Sequence, residues 1–248
     1  MVHGLGAHSG WFEALARRLK VKQIFCLAYD QIGFGKRRAH ELTSYQQWLD
    51  DLPVVSAYLK EQVGDKPIFL MGNSMGGVVS LCGAPAVSPE GLVLFSPGFA
   101  GNSKTFSLGY KLRGLIQAFL SPDTEIQLPY GSDAFIREQS VRSWVDSDQE
   151  ARMSVAAKTL LELLKLTNQV EQQTQLVSCP TLIATAGMDK IIDNKAVNAV
   201  FEKLSVPKKR RHFVEAYHDL MFDPLIDDLT NELVDWIAGN VRTVSVEV

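Results

Sequence analysis

Three residues far apart in the chain have the side chains needed for acyl transfer through a hydroxyl: Ser74 in "GNSMGG", Asp189 in "TAGMDKIID" and His218 in "FVEAYHDL". A serine hydroxyl is a poor nucleophile at neutral pH, so it needs a base, and the base needs an orienting acid. His218 is the candidate base. Asp189 is the candidate acid, with Asp193 as the alternative. A negatively charged tetrahedral intermediate also needs N–H donors aimed at its oxygen. Met75, directly after Ser74, offers one backbone N–H, and Leu5 in "HGLG" offers the second. His3 reads as a structural residue of that turn. His40 and His212 do not fall just past an apolar run, and His8 belongs to a loop or helix start.

Gly-x-Ser-x-Gly alone is a short pattern that a loop of small residues would also satisfy, so the flanking segments decide. Residues 68–71 form a buried apolar run, and Val78, Val79 and Leu81 beyond the glycines suit a helix packed on it. Strand, sharp turn, helix puts Ser74 at an exposed apex, and side chains at positions 72 and 76 would collide with neighbouring backbone. Strands are expected at residues 23–30, 67–72 (the one leading to Ser74), 91–97, 181–187 and 211–216. Asp189 and His218 then lie just past the last two. Helices are expected at 11–19, capped by Ser9, and across Trp48, Leu52, Val55, Leu59 and Val63, kinked or restarted by Pro53. A last helix spans 224–241, with Pro224 in its first turn. Alternating strands and helices imply a mostly parallel sheet covered on both faces, with working groups at the carboxyl ends of strands.

Residues 98–177 break the alternation. No strand is expected there, and two helices dominate. One carries the stripe Leu108, Leu112, Leu115, Ile116, Phe119 and Leu120; the other, over 154–170, has leucines on more than one face. An insertion between sheet strands has to sit above the carboxyl edge. The expected organisation is a core of 1–97 and 178–248 with a helical cap over 98–177, one apolar face docking on the core and the other lining a cavity.

The 248 residues suffice for one domain with an insertion. A net charge of −3 carries no basic footprint, which argues against nucleic acid as a partner. The basic run 208–211 reads as the solvated start of a strand. Cys26, Cys82 and Cys179 are odd in number and sit in or beside apolar segments, as buried free thiols do in a reducing compartment. Neither a membrane span nor a leader pattern is legible, so the expected address is cytoplasmic, with at most transient contact between apolar cap residues and a lipid surface.

Taken together, "HGLGAHSG", "YDQIGFG", "GNSMGG", "GMDKIID" and "AYHDLMFDP" resemble the α/β-hydrolase superfamily, and more narrowly its monoacylglycerol lipase and lysophospholipase-like branch, grouped with serine aminopeptidases. The resemblance runs almost end to end. It implies Ser74 as nucleophile, Asp189 as acid, His218 as base and Leu5 and Met75 as oxyanion donors, beneath a helical cap, with no metal or organic cofactor. It also implies cleavage of monoacylglycerol- or lysophospholipid-type esters. The same triad suits other small esters, thioesters, amides or C–C bonds, and a non-catalytic ligand binder is the alternative of another class. Asn73 stands where such proteins usually carry His, and Lys36 where they commonly carry Ser. Asp30, Gly33 and Gly35 read as turn structure. Only Met1 and Val2 precede "HGLG", where relatives have a central strand and others before it. Missing leading strands lead to the expectation of an amino-terminally truncated reading of a longer protein, or of lower stability.

Overall fold

The computed structural model describes residues 1–241. After the "HGLG" turn, a 3-10 turn (Ser9–Phe12) leads into α1 (Glu13–Val21). His8 rather than Ser9 caps the turn, its ring accepting from Gly10 N–H, while Ser9 N–H donates to Asp30. α2 (Gln46–Val63) runs unbroken through Pro53, which lies on the solvent side, where the carbonyl left without a donor can be hydrated. β1 (Phe69–Asn73) turns sharply into α3 (Met75–Val87), and β2 (Gly91–Phe95) follows.

Residues 98–177 contribute α4 (Leu108–Leu120), β3 (Glu125–Gln127), α5 (Gln139–Asp146), β4 (Ser154–Ala156), α6 (Ala157–Thr167) and α7 (Val170–Thr174). β3 and β4 form a short antiparallel pair, a correction to the expectation of no strand here and of a helix beginning at Ser154. Three residues per strand are too few to register as a period in sequence. A second correction concerns α4. Gly114 and Ala118 are its buried residues, while Leu108, Leu112, Ile116, Phe119 and Leu120 face outward. The small side chains let α4 lie close to Ile126 and Leu160 and turn the leucine stripe away from the core.

β5 (Thr181–Ala186), α8 (Asn194–Lys203), β6 (Lys208–Phe213) and α9 (Ile226–Asn240) complete the described chain. The main sheet runs β1-β2-β5-β6, all parallel, in register Asn73 to Phe95 to Ala184 and Ala186 to Phe213. Its side chains alternate between two layers. Leu92, Leu94 and Ile183 pack with α2, α3 and α8; Val93, Phe95 and Leu182 pack with α1 and α9. β6 starts three residues before the expected strand and takes in the basic run, because an edge strand can turn alternate charges to solvent. Lys209 reaches Glu232 at 2.5 Å and Lys208 donates to the Phe201 and Glu202 carbonyls.

Residues 23–30, expected as a strand, make a single bridge among the described residues. Val2 stands between Tyr29 and Gly72, parallel to both. The three cysteines are unpaired. Burial pushes the Cys82 thiol up to about 12 and the Cys179 thiol up to about 11. Among the described residues no helix is long and apolar enough to cross a membrane.

Candidate active site

Ser74 follows β1 directly, with φ 53° and ψ −117°, a conformation held by its neighbours. Its N–H donates to Phe95 O, and its carbonyl accepts from Gly77 and Gly98, all at 2.9 Å. A Cβ at Gly72 would run into Gly76 O, and one at Gly76 into Val2 O, so both glycines answer to close approach of backbone.

Asp189 and His218 come from the loops after β5 and β6. One carboxylate oxygen of Asp189 accepts the N–H groups of Ile191 and Ile192, each at 2.8 Å, and the other meets His218 Nδ1 at 2.7 Å. Both side chains are almost wholly buried. Burial by itself would lower the His218 pKa, but the charge and hydrogen bond of Asp189, helped by the charge of Asp219, raise it above the ordinary imidazole value. Asp193, the alternative acid, instead caps α8 through Lys195 N–H.

With Nδ1 engaged by Asp189, Nε2 is the ring nitrogen left without a partner among the described residues. His218 and Ser74 line one cavity, although no hydrogen bond joins Ser74 Oγ to the ring among the described residues. Such bonds are often long without substrate. The "HGLG" turn lies against the nucleophile: a Cβ at Gly4 would sit 3.2 Å from Ser74 Cβ. Neither Leu5 N–H nor Met75 N–H donates to another backbone group among the described residues. His3 holds the turn from behind. Its Nε2 accepts from Gln31 N–H at 3.0 Å and its Nδ1 reaches Gly4 O at 2.9 Å. Asp30 likewise serves structure, accepting from Ser9 and Lys36 N–H.

The cavity is closed down to about 20 Å³ by Tyr130, Phe135, Arg152 and Met153 from residues 98–177. Sequence reasoning missed all four, because nothing local ties a position in an insertion to a particular strand end. It also missed that Asn73 and Asp219, next to Ser74 and His218, form a hydrogen bond of their own at 2.6 Å. Their adjacency to the candidate pair was the available signal. A larger hollow of about 550 Å³, bounded by Pro89, Cys179 and Asn240, is lined by none of the candidate residues.

The sequence matches a known family over most of its length. A family model described as "Serine aminopeptidase, S33" fits residues 1–225. The chain belongs to this family. As a serine aminopeptidase S33 family member it has the α/β-hydrolase fold, and its relatives lie in the monoglyceride lipase branch. It is 25% identical over 248 residues to the monoglyceride lipase of Rattus norvegicus, covering 96% of this chain and 81% of the relative. It is 26% identical over 253 residues to that of Homo sapiens, covering 97% and 82%. In fold it is similar to the monoacylglycerol lipase of Paleococcus ferrophilus, with TM-score 0.84 at 24% identity over 96% of this chain and 93% of that one. It is also similar to a soluble variant of the Saccharomyces cerevisiae monoglyceride lipase, with TM-score 0.87 at 17% identity over 98% and 86%.

Proposed function

We propose that this S33 family chain is a carboxylic ester hydrolase that cleaves monoacylglycerol- or lysophospholipid-type lipid esters through an acyl-enzyme on Ser74. The observation that carries this reading is the buried 2.7 Å bond between His218 and Asp189, its ring facing the cavity that Ser74 lines. His218 takes the Ser74 proton as Oγ attacks the ester carbonyl, and Asp189 holds the ring and stabilises its charged form. The N–H groups of Leu5 and Met75 receive the developing oxyanion. Protonated His218 then hands its proton to the leaving alcohol, and water activated by the same ring releases the acid.

Residues 98–177 act as the cap in this reading. A volume of about 20 Å³ is far below the roughly 300 Å³ at which ligand pockets begin, so an acyl chain enters only when Tyr130, Phe135 and Met153 draw back. The same tightness favours, as a second reading, small esters, thioesters or amides. The outward face of α4 supports transient contact with lipid: Leu108, Phe119 and Leu120 are each more than three-quarters exposed.

Ser74→Ala is expected to abolish labelling by a fluorophosphonate probe and to cut ester hydrolysis by roughly 10⁴-fold or more. Retained labelling or turnover in that variant sinks the mechanism. Rates on monoacylglycerols, lysophospholipids and short p-nitrophenyl esters and thioesters, taken side by side, decide the substrate class.

A further inference from the structure

The residue before the candidate nucleophile and the residue after the candidate base are bonded to each other. Asn73 Nδ2 donates to Asp219 Oδ1 at 2.6 Å, across 146 positions of sequence. Asn73 is 2% exposed and Asp219 5%. The other atom of the amide, Asn73 Oδ1, is buried without a partner among the described residues. Asp219 is held on its main chain too, its N–H donating to Phe135 O at 3.1 Å. A buried carboxylate is costly unless it is paired and hydrogen-bonded, and for Asp219 the Asn73 amide and the neighbouring imidazole fill that need.

We infer that Asn73 and Asp219 are positioning residues, a clamp that fixes the Ser74 and His218 backbones against each other and sets a second carboxylate beside the base. This rests on the reading of Ser74 as nucleophile and His218 as base, and adds to it. The charges that act on His218 are those of Asp189, bonded to Nδ1, and of Asp219, the next residue in the chain. Those that act on Asp219 are the charges of His218 and Asp189 and the hydrogen bond from Asn73, and Tyr130 lines the same cavity. Burial raises the Asp219 pKa above the ordinary carboxylate value, and the charge of His218 and the hydrogen bond from Asn73 oppose that rise. Ionised Asp219 favours the imidazolium. It therefore raises the pH needed to free His218 as a base, and it stabilises the charged ring formed during acyl transfer.

The test compares Asp219→Asn and Asn73→Ala with the unaltered chain, following melting temperature, the pH dependence of fluorophosphonate labelling, and kcat and KM on a short p-nitrophenyl ester. Asp219→Asn keeps the shape and still offers Asn73 an acceptor. Its acid limb is expected to move down by about one pH unit, with a lower plateau in kcat and KM little changed. Asn73→Ala is expected to lose roughly tenfold to a hundredfold in kcat and to shift the acid limb in the same direction, and combining the two changes adds little to it. An acid limb that stays put in both variants overturns the inference, whether or not the melting temperature falls, because the pair then only holds structure. An unaltered chain that takes no label overturns the underlying reading of Ser74 instead, and the clamp with it.

Discussion

His3 lies two residues before Leu5, wholly buried, and burial lowers its pKa to about 4 despite the opposing help of the Gly4 carbonyl and Asp30. Its Nε2 has to stay unprotonated to accept from Gln31. In the unfolded chain the ring titrates near 6.5, so between that pH and about 4 only the unfolded state takes the proton. Stability is therefore lost as the pH falls through this window, by about 3 kcal/mol once complete. His218 works in the opposite sense: its pKa is raised, so its contribution is full at low pH and lost as the pH rises through the folded value. The readout is thus a difference. His3→Gln is expected to shrink the drop in melting temperature between pH 7 and pH 5 by about 4–8 °C, measured by thermal unfolding at both pH values. An equal drop in both proteins would mean that the ring protonates without cost. Both histidines stand out in sequence beside small, sharply turning segments, but only burial separates the one that must stay neutral from the one that must cycle.

Elements carry the next level of control, because the "HGLG" turn is held from two sides. β1 and α3 support it through Val2, whose N–H donates to Met71 O and whose carbonyl accepts from Asn73. On the other side it is tied to residues 98–177. Arg152 N–H donates to Gly6 O at 2.7 Å, and Asp148 Oδ2 receives His8 Nε2 at 2.7 Å and Trp11 Nε1 at 3.0 Å. The carboxylate of Asp148, in the proposed cap, thus anchors the segment that directly follows the proposed oxyanion turn. Asp148→Ala strands the indole N–H and the imidazole of a partly buried cluster, at a cost of about 1–3 kcal/mol. The expected signature is faster hydrogen exchange at residues 4–11 together with a lower melting temperature; exchange confined to residues 139–148 would uncouple the two. None of this was legible beforehand. A carboxylate in an insertion reads as a solvated charge, and only the folded path brings it to His8 and Trp11.

At the scale of the whole molecule, polarity is distributed unevenly. Charges line the β6 edge, where Lys208 to His212 alternate outward, while a compact apolar surface on α4 faces solvent, bordered by Lys111 and Arg113. Burying that surface in an acyl boundary would gain roughly 25 cal/mol per Å² of apolar area. If α4 is the lipid-facing element, replacing Leu108, Phe119 and Leu120 with Ser weakens sedimentation with phosphatidylcholine vesicles and slows turnover of vesicle-borne monoacylglycerol about tenfold or more, leaving soluble p-nitrophenyl ester rates unchanged. Equal loss on both substrates would trace the defect to the cap's own packing. The alternation of strands and helices, the strand ends bearing Ser74, Asp189 and His218, and the glycines around the serine were all readable from residue types and spacing, because each is a local steric or periodic requirement. Which way the α4 stripe turns, that Val2 bridges Tyr29 and Gly72, how nearly the cavity is filled, and that Asn73 meets Asp219 were decided by the tertiary structure. Each of these depends on which surfaces meet across more than twenty positions of chain, and no local rule of spacing encodes that.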